Sequence, residues 1–145
     1  MISINDLLYQ LHLADQASTR LFEKRLGISL TRYQMLQYLL SQGESSQIAL
    51  KEILGIDQAA LARHFKILEE EGYVTRQRNP LNQRESIVAL TDFAREQLLT
   101  HPPLHHLSTK EQMESILTAS ESKELSRLLE KLVTGLEEVS PENRK

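Results

Sequence analysis

The sequence predicts a mainly α-helical chain of 145 residues with one small β-hairpin, and three observations carry that prediction. Apolar residues recur at helical spacing through most of the chain, and Gly27, Gly55 and Gly72 each stand where such a stripe stops. Between Gly72 and Thr91 the pattern changes to two short β-forming runs around a polar segment. In chain order, the stripe Leu7, Leu8, Leu11, Ala14, Ala17 and Leu21 predicts a long amphipathic helix from Ile4 to about Arg25, capped by Ser3 and ended by Gly27. Thr31 with Gln34 three residues on reads as a capping box, and Leu30 and Met35 as its hydrophobic staple, so a second helix is expected from Arg32 to Leu40.

After a turn at Gln42–Ser46, Ile48, Leu50, Ile53 and Leu54 predict a short helix stopped at Gly55. Asp57 caps the next, which runs from Gln58 to Glu71 with Leu61, Phe65 and Leu68 on one face. Two short helices about a glycine-containing turn have the composition of a helix-turn-helix. The strands Tyr73–Gln77 and Glu85–Leu90, joined by the basic loop Arg78–Arg84, add a hairpin, the wing. Thr91 caps a helix over Asp92 to about Thr100, which Pro102 and Pro103 interrupt. Ser108 and Glu111 read as a capping box over a segment containing Met113, Ile116 and Leu117, and a last helix, Glu121 to Val139, carries Leu125, Leu128, Leu129, Leu132, Val133 and Leu136. The expected architecture is one domain over 1–145: a winged helix-turn-helix lobe, 29–99, flanked by dimerisation helices in 1–28 and 100–145.

Composition narrows the function classes. Hydrophobic residues at 40% and charged residues at 26% describe an ordinary globular protein. No apolar run nears the roughly 20 residues of a membrane span, and MISINDLL lacks a basic secretory start, so a cytoplasmic location is expected. The absence of cysteine removes thiol redox sensing, thiolate zinc sites and cysteine nucleophiles together. No nucleophile elbow, glycine-rich phosphate loop or HExxH motif occurs, so neither an enzyme nor a cofactor is expected. The net charge of -3 opposes nucleic-acid binding if read globally. Its distribution reverses that reading: Tyr73 to Arg84 holds Arg76, Arg78 and Arg84 with no acid, while glutamates crowd the C-terminal third.

A helix that enters the major groove buries one side in its own domain and offers the other to base edges and phosphates. Opposite Leu61, Phe65 and Leu68 on the helical wheel stand Ala59, Ala62, Arg63, Lys66 and Glu70, small residues beside basic ones, and Gln58 in the first turn can both donate to and accept from a base. The alternative reading of this face is a solvated one. On the hairpin, Arg78 and Arg84 flank the uncharged tip Pro80-Leu81-Asn82, which suits the minor groove; alone, such a hairpin reads equally as a solvated turn. Gln58, Ala59, Ala62, Arg63, Lys66, Arg78 and Arg84 are therefore the candidate DNA-binding residues.

From Leu50 to Thr91, LKEILGIDQAALARHFKILEEEGYVTRQRNPLNQRESIVALT resembles the core of the MarR family of transcriptional regulators in the order helix, recognition helix ending in Leu-Glu-x-x-Gly, strand, wing and Leu-Thr. The resemblance implies a homodimer built by the terminal helices, a wing in the minor groove, more often repression than activation, and a small-molecule effector. Two features depart from it. The family's acid-x-Arg at the wing tip stands here as Asn82-Gln83-Arg84, and the helix after the wing is interrupted at Pro102-Pro103, which implies a bend or an extra helix. Tyr9, Phe22, Tyr33 and Tyr38 are candidates for an effector pocket or, equally, for the core. His101 and His105 have helical ligand spacing, but the two prolines between them and the missing cysteines argue against a metal site, and none is expected. His64 on the recognition helix is either a phosphate contact or a flank of the core. The apolar stripes of the first and last helices need partners, within one subunit or across two. The rival from another class is a winged helix used as a protein-interaction module without DNA binding.

Overall fold

The structure, a computed structural model, describes residues 1–100 and 104–139. Residues Met1–His106 and Leu107–Lys145 form separate compact units. The first begins with α1, Ile4–Leu21, whose N-cap Ser3 accepts from the Asp6 amide at 3.1 Å. The helix widens into a π-turn over Phe22–Leu26 and ends at Gly27, which takes φ 69°, a left-handed conformation that costs glycine alone nothing.

The second helix, α2, spans Leu30–Gln42 and is capped by Ser29, which accepts from the Arg32 amide at 3.1 Å. This corrects the expected Thr31–Gln34 box. Thr31 lies inside the first turn, and Leu30 is 38% exposed while Met35 is fully buried, so the two form no staple. The segment expected as a plain turn contains a two-residue strand, β1, Ser45–Ser46, whose Ser46 also caps α3, Gln47–Leu54, through the Ala49 amide. Asp57 caps α4, Gln58–Glu70, accepting from the Ala60 amide at 2.8 Å.

The wing comprises β2, Val74–Asn79, and β3, Asn82–Leu90. Both strands run further than expected, and the connecting loop shrinks to the pair Pro80–Leu81. The sheet order is β1-β3-β2, antiparallel throughout, with Ser45 opposite Val88 and Val74 opposite Leu90. Arg78 faces Ser86 but the next pair is Asn79 with Asn82, so Gln83, Arg84 and Glu85 bulge out of the ladder, a device that twists a hairpin away from its sheet. Thr91 then caps α5, Asp92–Arg95, and holds it to the recognition helix's exit by donating to the Gly72 carbonyl at 2.7 Å. A π-turn follows over Glu96–Thr100.

One core serves these elements. Met35, Leu36 and Leu39 from α2, Leu50 from α3, Leu61, Phe65 and Leu68 from α4, Val74, Val88 and Leu90 from the wing, and Ala94 from α5 pack together. Each large side chain so buried contributes about 1.5–3 kcal/mol of transfer free energy. The burial fixes α4 by its inner face, which leaves the outer face open to an incoming surface.

Pro102 and Pro103 lie outside the described residues; beyond them a helix, α6, runs over Leu104–Glu114, the second of the two outcomes, bend or extra helix, that the prolines left open. Ser108 is inside α6 and does not cap a new helix. The capping box stands instead at Thr118, before α7, Ala119–Val139, where the Glu121 amide donates to Thr118 Oγ1 at 3.1 Å and the Thr118 amide donates to Glu121 Oε1 at 3.0 Å.

Candidate nucleic-acid interface

The α4 stripe divides the helix as its spacing requires. Leu61, Phe65 and Leu68 are wholly buried, while Gln58, Ala59, Ala62, Arg63 and Lys66 are all exposed. The first turn of α4 carries no acidic residue, and the carboxylate of its cap Asp57 already engages the helix N-terminus. Glu70 is the one carboxylate on the outer face, at the helix's far end.

One flank of α4 is closed by Arg76 of β2. Its Nε and Nη2 donate to Glu69 Oε1 at 2.9 and 2.6 Å, and its guanidinium lies 5.8 Å from the centroid of the Phe65 ring. Arg76 thereby ties wing to helix, and its charge is matched. On the other flank stands His64, whose Nδ1 lies 3.3 Å from Arg32 Nη1 of α2. A guanidinium can only donate, so Nδ1 is the acceptor and the ring's proton sits on Nε2. Burial holds His64 below the ordinary histidine range, and the charges of Arg32 and Arg63 act in the same direction.

The wing's arginines differ from one another. Arg78 Nη1 donates to the Gln83 carbonyl, so this side chain braces the bulge. Asn79 adds a second brace, its Nδ2 donating to Glu85 Oε1 at 3.2 Å and its Oδ1 accepting from the Leu81 amide at 2.9 Å. Asn82, where the family's pattern has an acid, accepts from the Arg84 backbone amide at 3.1 Å, a local turn contact that carries no charge. Arg84 itself is exposed, and no partner for its guanidinium is found among the described residues. Leu81, at the tip, is 95% exposed.

The aromatic candidates do not gather. Phe22 is buried and meets half-buried Tyr33 edge-on at 5.5 Å, Tyr38 packs against the core, and Tyr9 stands exposed on α1 beside His12. His101 and the side chain of His105 lie outside the described residues. Sequence reasoning passed over Arg32. Its distance of 32 residues from His64 hides the pairing, and only the packing of α2 on α4 brings the two together.

A profile of the MarR family matches residues 28–86, the segment from just after Gly27 into β3 of the wing. The HTH-type transcriptional regulator YdgJ of Bacillus subtilis is 36% identical over 124 residues, which cover 86% of this chain and 73% of that protein. The chain belongs to the MarR family. Another relative, the HTH-type transcriptional regulator MgrA of Staphylococcus aureus, is 30% identical, with 83% of this chain and 80% of that protein covered. Among solved structures, a single-site mutant of MarR from E. coli complexed with operator DNA is 26% identical and superposes with a TM-score of 0.75, over 89% of this chain and 94% of that one. Reduced AbfR bound to DNA shares the fold at a TM-score of 0.73 with 24% identity, over 92% and 93%. As a MarR-family protein the chain is a transcriptional regulator with a winged helix-turn-helix, and α4 occupies the recognition-helix place in it.

Proposed function

We propose that this regulator binds duplex DNA as a cytoplasmic homodimer and represses transcription from a pseudo-palindromic operator. The observation that carries the DNA reading is the division of α4: three fully buried anchors on one side, and Gln58, Arg63 and Lys66 exposed on the other, the two cations paired with no carboxylate among the described residues. Gln58, Ala59, Ala62 and Arg63 face the base edges, Lys66 the phosphates, Arg84 the minor groove, and Arg78 holds the wing in shape for it. The MarR–operator complex supports the same use of the fold.

Dimerisation is supported by the terminal helices. Neither α1 nor α7 contains a buried residue, although Leu7 and Leu13 of α1 and Leu125, Leu128 and Val133 of α7 are large and apolar, at 42–55% exposure. A two-fold pair places recognition helices about 34 Å apart, one turn of DNA. The deciding experiment is selection of bound duplexes from a random pool by the full chain. A two-fold-symmetric consensus with half-sites about ten base pairs apart is expected; recovery of no enriched sequence, with the protein passing through a column of nonspecific DNA at low salt, would leave the interaction-module reading in its place.

A further inference from the structure

Arg32 is half-buried at the start of α2, its Nε is shut off from solvent with no hydrogen-bond partner, and the one partner found for its Nη1 is a neutral imidazole. No carboxylate among the described residues pairs with it. A partly buried cation without a counter-charge is costly, and the Glu69 carboxylate that serves Arg76 on the opposite flank of α4 has no equivalent here. The two flanks of the recognition helix are therefore unequal: one is electrically closed, and the other holds an arginine and a histidine with no anion to match them. The anion that a recognition helix meets along its flank is a backbone phosphate.

We propose that Arg32 and His64 together form a phosphate site beside the recognition helix, and that His64 takes up a proton when DNA occupies it. The inference rests on the DNA-binding reading above and adds to it a contact from α2 and a coupled protonation. In the free protein the charges acting on the ring are those of Arg32 from α2 and its neighbour Arg63 on α4, both cationic, and together with burial they keep it neutral. A phosphate at Arg32 offsets those charges and favours the imidazolium, whose Nδ1–H then points at the anion in place of accepting from Arg32. The sign follows. The ring titrates at higher pH in the complex than in the free protein, so affinity rises as pH falls through that interval and levels off below it. Each proton taken up changes the binding constant by up to about tenfold per pH unit.

The test is fluorescence anisotropy of a random-sequence duplex against the full chain, from about pH 8 to about pH 5 and at several salt concentrations. The wild type is expected to bind more tightly at the acid end. His64→Gln, which keeps an acceptor for Arg32 but cannot titrate, is expected to remove that dependence, and Arg32→Gln to lower the slope of log K against log salt by about 0.9 per subunit. The NMR titration of the His64 ring, followed with and without the duplex, reads the coupling without any substitution at Arg32. A ring whose titration does not move on adding DNA, or a His64→Gln protein with the wild-type pH profile, overturns the proposal while leaving DNA binding intact. A wild type that binds no duplex at any pH overturns both.

Discussion

The winged lobe and the terminal helices use the same apolar alphabet to opposite ends. In the lobe, Leu50, Leu61, Phe65, Leu68 and Val88 have no exposed surface at all. Along α7, leucines at the same helical spacing stay 42–45% exposed at Leu125, Leu128 and Leu136, and α1 buries none of its stripe. A core filled by its own chain has a stability that does not depend on concentration. A stripe that its own unit leaves open derives its stability from a second surface, and for a dimer that makes it concentration-dependent. The part of the molecule proposed to read DNA is thus self-sufficient in packing, and the part proposed to pair subunits is not.

The largest effect on this division of labour is expected in the core. Phe65→Ala removes the biggest fully buried side chain among the described residues, and a loss of about 3–5 kcal/mol is expected, a large share of a domain's ordinary stability; denaturant titration measures it. Truncation after Ser120 probes the other half of the molecule. It removes α7, and sedimentation should then give a monomer that has lost specific binding, with the far-ultraviolet dichroism and cooperative melting of the lobe retained. A full-length chain that sediments as a monomer at micromolar concentration would show that the open stripes serve some purpose other than pairing.

Smaller effects are expected on the interface itself. Gln58→Ala or Arg63→Ala should narrow the gap between operator and random DNA by roughly 1–3 kcal/mol for each base edge no longer read. Arg84→Ala should weaken binding to both and reduce the salt slope by about 0.9 per phosphate, near 2 for a symmetric pair. Titrations of each variant on operator and scrambled duplexes separate the two behaviours. The smallest is Asp57→Ala, which removes the cap of α4; about 0.5–2 kcal/mol of stability should be lost, read from thermal melting.

The chain was legible where its signals do not compete. Asp57 stands one residue before a helix whose apolar stripe is followed by a glycine, and Ser3 and Thr91 cap where their types and positions say they should. Elsewhere two equivalent signals stood close together. Ser29 and Thr31 are both good caps, and Ser-x-x-Glu at Ser108 has the same form as Thr-x-x-Glu at Thr118; which one starts a helix is decided by packing that the local pattern does not contain. The wing's length was hidden for a different reason. Arg76, Gln77 and Arg78 are exposed on successive positions, so the hairpin beyond the core shows no alternation from which to read strand. At the candidate site, the α4 face followed from its period, whereas the bracing by Asn79 and the Arg32–His64 pairing arise from long-range or bulge geometry and leave no trace in spacing.

Ser46 holds two positions at once. Its backbone pairs with Ile87 of β3, and its hydroxyl caps α3 through the Ala49 amide. The strand that carries Arg84 at one end is thus stitched, near its other end, to the start of the helix-turn-helix. β3 is paired on both sides at Ile87 and Val88, so the base of the wing is tied to the start of the helix-turn-helix, while the bulge at Gln83, Arg84 and Glu85 lies between that tie and the tip. In the proposed complex, a displacement of the wing's base would be passed to α3, so that the seating of the wing and the angle of the helix pair would change together.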